Sequence, residues 1–171
     1  MARLVGYVPS MANVDDLHAA LRDASATLAT AESLTAGRLA AMLTDPPGAS
    51  KTYRGGFVTY ATELKQTLLG VPVSVVETVG VVSAECAAAM AVGAREQAGA
   101  TYGLATTGVA GPEEQEGKPV GTVYLGVSGP HGETTKLLGL SGSRMEIQRD
   151  TCLFAVDELL RLLRREHRGV R

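Results

Sequence analysis

Thr27-Leu28-Ala29-Thr30-Ala31-Glu32-Ser33-Leu34-Thr35-Ala36-Gly37 is the stretch whose reading sets the fold. Residues 27–31 form a short β-prone run, Glu32-Ser33 interrupts it, and residues 35–43 read as a helix. A strand, a turn carrying Ser33 and a helix are the unit from which α/β domains are built.

Working outward, Leu17, Ala20, Leu21 and Ala24 recur at spacings of three and four, which predicts one buried face of a helix from Val14 to about Ser25. Residues 1–13 carry Pro9 and no clear period, and are read as an N-terminal extension. On the other side, Pro46-Pro47-Gly48 ends the helix, since proline lacks a backbone donor and restricts the residue before it. Phe57-Val58-Thr59-Tyr60 predicts a strand, and residues 62–69 a helix closed by Gly70. A Val-rich connection leads to Gly80. Ser83 is a candidate N-cap, with Glu85 in the first turn, for an Ala-rich helix to about Ala98. Residues 101–106 predict a strand that runs into a glycine-rich loop, Gly108 to Gly121. Residues 120–127 and 134–140 then predict antiparallel strands joined at Gly129-Pro130-His131-Gly132. Ser143 and Glu146 have the spacing of a capping box, and Ile147, Phe154, Leu159, Leu160 and Leu163 carry a closing helix. The class is α/β: a three-layer αβα sandwich, a mixed β-sheet covered by helices on both faces, in a single domain over residues 14–168.

Composition narrows the function. With 171 residues, 45% hydrophobic, one well-buried domain is expected. The formal net charge of -2 gives no cationic field, so nucleic acid is not the expected partner. Arg161, Arg164, Arg165, Arg168 and Arg171 read as a solvated helical end, or as a contact for an acidic surface. No secretory leader and no run of about 20 apolar residues is seen, so the expected location is the cytoplasm, away from membranes. Cys86 and Cys152 have neither metal nor redox spacing and read as buried small hydrophobes. His18, His131 and His167 are scattered over a helix, a hairpin turn and the tail. A Ser-His-Asp triad and a zinc site are therefore not expected; a carboxylate-held magnesium stays open, though no acidic pair of suitable spacing stands out, and no metal or cofactor is called for.

Serine and lysine remain. Ser33, between a strand end and a helix start, lies where open sheets place ligands, and the first N–H groups of the following helix suit a phosphate or an oxyanion. It is read as a nucleophile or as a plain N-cap, with Thr35 and Gly37 leaving room for a ligand. Lys65 is the best-placed base, provided burial keeps its amine neutral; the alternative is a surface lysine on an amphipathic helix. Tyr60 either orients that amine or packs. The segment Thr106-Thr107-Gly108-Val109-Ala110-Gly111-Pro112 suits a phosphate approached by backbone N–H groups, but is neither a Walker motif nor a dinucleotide fingerprint. Arg144 and Arg149 are candidates for an anionic ligand, or surface charges.

Residues 31–37, Pro47-Gly48-Ala49-Ser50, Phe57-Val58-Thr59-Tyr60 with Lys65, Gly80-Val81-Val82-Ser83, and Thr107 through Pro112 followed by Pro119-Val120-Gly121 together resemble the CinA C-terminal domain family. The likeness runs in order from about Leu17 to Leu163. In the family's stand-alone members it implies nicotinamide mononucleotide deamidase (PncC) activity: metal-independent hydrolysis of the carboxamide to nicotinate mononucleotide and ammonia by a Ser/Lys dyad. The resemblance implies Ser33 as nucleophile, with Ser50 the other hydroxyl to consider, Lys65 as base, and Tyr60 and Ser50 as steadying groups. Helix-start N–H groups would hold the oxyanion, and Thr35, Thr107, Gly108 and Arg144 would grip the substrate. It also suggests a homodimer, with the Ala-rich helix as one candidate interface. Rival readings are a nucleotide- or partner-binding module without turnover and an amidase for another small amide. Leu34 and Ala36 depart from the Cys and Gly common in the family. The acidic Glu113-Glu114-Gln115-Glu116 insertion is expected to repel a phosphate weakly.

Overall fold

A computed structural model describes residues 12–169. The elements run α1 (Ala12–Asp23), β1 (Leu28–Glu32), α2 (Arg38–Thr44), a one-turn 3-10 helix (Ala49–Lys51), β2 (Tyr53–Val58), α3 (Thr62–Leu69), α4 (Val73–Val79), α5 (Ala84–Ala98), β3 (Tyr102–Gly108), β4 (Thr122–Gly129), β5 (Gly132–Gly139) and α6 (Arg144–Gly169). The five strands form one sheet in the order β2-β1-β3-β4-β5. β1 pairs in parallel with β2 and β3, and the β4–β5 hairpin is antiparallel to β3 and within itself.

Side chains alternate across β1 and β3, and the two faces differ in kind. Leu28 and Leu104 point into a Leu-rich layer with Leu17 and Leu21 of α1, Leu39 of α2 and Leu159 of α6. Ala29, Ala31 and Ala105 point the other way, onto Met90, Ala91 and Ala94 of α5. Each buried Leu contributes about 1.5–3 kcal/mol of transfer free energy, so the first face holds most of the apolar gain. The second gives proximity. A Cβ on Gly103 would stand 1.9 Å from the Ala91 carbonyl oxygen, and one on Gly126 2.1 Å from that of Ala87, so α5 lies against the bare backbone of β3 and β4.

The three-layer mixed sandwich expected from the sequence is present, with local differences. α2 starts at Arg38 rather than Thr35, because the Glu32 carboxylate reaches over the turn and takes its first amides. β2 lies earlier than expected, at Tyr53–Val58, and is an edge strand alternately half-buried and exposed. The Val-rich connection contains a helix, α4, with Pro72 before its first residue and Gly80 after its last. The arginine-rich end is helical and solvated within the described residues, with Arg164 paired with Asp16 of α1 at 2.8 Å and Arg161 with Glu158. Of the expected N-terminal extension, residues 12 and 13 begin α1 and residues 1–11 lie outside the described residues, as does Arg171.

Candidate active site

The parallel strands β1, β2 and β3 end side by side. Glu32 pairs with Val58 and with Thr106, and the ladders run one residue further: the Ser33 amide donates to the Thr106 carbonyl at 2.9 Å, and the Thr59 amide to the Glu32 carbonyl at 2.9 Å. Ser33 is thus set at the carboxyl edge beside Thr59. It is half-buried at the first turn residue past the strand.

Lys65 reaches the same edge from α3. Lys65 and Leu69, four residues apart on one helical face, are the buried residues of that helix. Lys65 is only 1% exposed. Its ammonium nitrogen donates to the Thr59 carbonyl at 2.7 Å and the Tyr60 carbonyl at 3.3 Å. Neither partner is charged. Burial holds the amine below the ordinary lysine range, opposed by the negative potential of Glu116 and Glu63. Cys86, buried nearby on α5, has its thiol pushed up to about 11 by burial, so it stays protonated.

Ser33 and Lys65 line one cleft of about 480 Å³. Its other walls are Leu34, Tyr60 and Thr62, the Val81-Val82 segment, residues 107–115 of the glycine-rich loop, and Arg144 at the start of α6. Arg144 closes one side, donating to the Gly111 carbonyl at 2.5 Å and to the Tyr60 hydroxyl at 2.9 Å. Thr107 donates its hydroxyl to the Val81 carbonyl at 2.7 Å, tying β3 to that wall.

Six of the sequence-derived candidates therefore converge: Ser33, Tyr60, Lys65, Thr107, Gly108 and Arg144 all line the cleft. Three do not. Thr35 is buried with its hydroxyl 2.8 Å from that of Thr106, a link between the turn and the sheet. Gly37 gives its amide to Glu32 at 3.0 Å. Ser50 is exposed in the 3-10 helix, away from the cleft lining. Two partner assignments also change. The Tyr60 hydroxyl meets Arg144, and it is the Tyr60 carbonyl that holds the amine. The helix-start amides expected to hold an oxyanion are occupied, since Glu32 accepts from Gly37, Leu39 and Ala40 at 3.0, 3.0 and 2.8 Å. The amine's hydrogen bonds go to main-chain carbonyls, and the Ser33 hydroxyl is not among their acceptors. Arg149, on the exposed side of α6, pairs with Asp150 at 2.8 Å.

Sequence reading missed the part played by Glu116. Its carboxylate accepts from the Val81 and Val82 amides, both at 3.0 Å. The acids of the insertion thus divide: Glu113 and Glu114 face the cleft, while Glu116 is engaged behind its wall. Nothing local in the sequence signals this, because the partners lie 35 and 34 residues away.

An α/β domain with a serine and a buried lysine, hydrogen-bonded to main-chain carbonyls, at the carboxyl edge of its parallel strands has the layout of a ligand-binding or catalytic module. Residues 11–163 match the model of the CinA C-terminal domain, and the chain belongs to that family. It is 54% identical over 139 residues to a CinA-like protein of Frankia casuarinae, covering 81% of this chain and 32% of that one. It is 47% identical over 163 residues to a CinA-like protein of Mycobacterium avium, covering 92% and 37%. The chain thus spans about a third of the length of these curated relatives. The crystal structure of a competence-damaged protein (CinA) superfamily protein from Escherichia coli superposes with a TM-score of 0.89 at 32% identity, covering 94% of this chain and 95% of that one. A superfamily protein from Klebsiella pneumoniae gives 0.88 at 30% identity, covering 91% and 98%. Among the described residues no helix is long and apolar enough to cross a membrane.

Proposed function

We propose that this cleft hydrolyses the carboxamide of nicotinamide mononucleotide, giving nicotinate mononucleotide and ammonia, with Ser33 as nucleophile and Lys65 as base. The observation that carries the reading is Lys65: a lysine 1% exposed, held by two neutral carbonyls, in one cleft with a half-buried serine. Burying an ammonium whose hydrogen bonds all go to neutral carbonyls is costly, and a lysine so placed in a cleft is a candidate for use as the neutral amine.

On this reading the Ser33 hydroxyl attacks the amide carbon while Lys65 takes its proton. The amine then returns that proton to the leaving nitrogen, ammonia departs, and the Ser33 ester is cleaved by a water that Lys65 deprotonates in turn. A shift of the amine from the Thr59 and Tyr60 carbonyls toward Ser33 accompanies substrate binding. The oxyanion is assigned to main-chain amides of the cleft other than those taken by Glu32, with Leu34, Ala110 and Gly111 among the residues that line it. Arg144, whose fork meets only neutral acceptors, is assigned to the substrate's phosphate.

The decisive experiment follows ammonia release from nicotinamide mononucleotide by pure protein in the presence of chelator. Release that disappears in both Ser33→Ala and Lys65→Ala supports the dyad. A second reading, a nucleotide-binding module without turnover, draws on the amine's carbonyl partners and the absence of a Ser33–Lys65 hydrogen bond. Tight nucleotide binding with no ammonia would establish it.

A further inference from the structure

We propose that Glu116 is a positioning residue of this site: its carboxylate, clamped on the amides of Val81 and Val82, locks the glycine-rich loop in place as a wall of the cleft that Lys65 lines. The inference rests on the Ser/Lys reading for its catalytic consequence, but its geometry stands apart from it.

The loop is built to present this side chain. Gln115 and Lys118 exchange main-chain hydrogen bonds in both directions, at 3.2 and 2.9 Å. Glu116 and Gly117 between them have φ of 53° and 68°. Positive φ at both central residues is a type I′ hairpin turn, whose first position favours Asn, Asp or Gly. A glutamate there is conformationally disfavoured, and what it gains is reach: one oxygen accepts from Val81 and the other from Val82, each at 3.0 Å. The receiving segment is shaped to match. Gly80 has φ of 81°, and a Cβ on it would stand 2.3 Å from a Glu116 carboxylate oxygen. Val81 is gripped a second time through its carbonyl by Thr107. One carboxylate thereby joins the loop, the Val81-Val82 segment and the end of β3 into a single wall facing Lys65.

The charge matters as much as the clamp. The ionisable groups around Lys65 are Glu63 on its own helix, Cys86 on α5 and Glu116 on the loop, with Glu113, Glu114 and Arg144 lining the same cleft. The Cys86 thiol stays protonated, and Glu116 is an anion supplied from across the cleft wall. It favours the ammonium form against the pull of burial.

The test compares Glu116→Gln, which keeps the shape and removes the charge, with Glu116→Asp, which keeps the charge and shortens the reach. Lys65 is titrated by NMR of its side-chain carbon and nitrogen, and ammonia release is measured against pH. In Glu116→Gln the Lys65 midpoint and the acidic limb of kcat/KM both move to lower pH, and KM rises about tenfold, the cost of one weakened charge-assisted hydrogen bond. Glu116→Asp returns the midpoint toward wild type while KM stays raised. A Gln variant with the wild-type midpoint, limb and KM, altered only in melting temperature, would make Glu116 a structural staple and overturn the proposal. If the wild-type protein releases no ammonia, the deamidase reading fails, and the NMR midpoints still decide the role of Glu116.

Discussion

Glu32 at the end of β1 and Lys65, which reaches the end of β2 from α3, are equally buried, 1% exposed each, and they have opposite fates. Glu32 accepts from three amides around the start of α2, donors whose dipoles favour a negative charge and have no other partner. Its carboxylate is a built-in cap of that helix. Lys65 donates to two neutral carbonyls that would be satisfied equally well by a neutral donor. Its charge is left conditional. The identity of the partners, rather than the degree of burial, separates a capping carboxylate from an amine available for proton transfer.

The sharpest way to break this contrast is to remove the two side chains in turn. Lys65→Met or Ser33→Ala is expected to lower kcat for ammonia release by about 10³-fold, within the span of general-base catalysis, while circular dichroism shows the fold kept. Glu32→Ala should do the reverse, costing about 3 kcal/mol by stranding buried amides and lowering the melting temperature by roughly 10 °C. A Glu32 variant with normal stability and no turnover would erase the distinction.

The pH dependence of stability sharpens it. Burial depresses the folded-state pKa of Lys65 below its unfolded value, so the unfolded chain binds more protons between the two. Stability then rises with pH across that window, and the penalty is full below the folded pKa. Lys65→Met removes it: its melting temperature relative to wild type should be highest on the acidic side and fall as pH approaches the ordinary lysine range. A pH-independent difference would mean the amine is not depressed. Smaller effects mark the boundary of the site. Thr35→Val, which strands the Thr106 hydroxyl, should cost about 1 kcal/mol and leave KM unchanged by steady-state assay. Ser50→Ala should change stability by less than about 0.5 kcal/mol and activity not at all.

What was legible in the sequence was what local chemistry dictates. The Ser83 hydroxyl accepts from the Cys86 amide, Gly70 closes α3, and Ser143 and Glu146 bond through side chain and backbone, each as spacing alone announced. Ser33 and Lys65 were legible because one follows a strand end and the other sits one turn into a helix beyond the next. What escaped depends on groups distant in the chain or on weak burial. α4 is Val-rich and has no buried residue, so no helical stripe betrays it. Glu32 and Glu116 read as ordinary acids, because the backbone donors they satisfy become visible only after the turns are folded. Ser50 carried a family motif, yet it is the neighbouring Ala49 that is buried, and the serine faces solvent.

The contact of α5 with the bare glycines of β3 and β4 has a mechanical consequence. Where the helix is seated carbonyl-to-backbone, at Gly103 and Gly126, it has no side-chain cushion to compress, so it behaves as an anvil against which the rest of the cleft is worked. Breathing of the pocket is then left to its rim, at the exposed Arg144–Tyr60 bridge, and deuterium should enter the amides there long before it reaches the centre of α5.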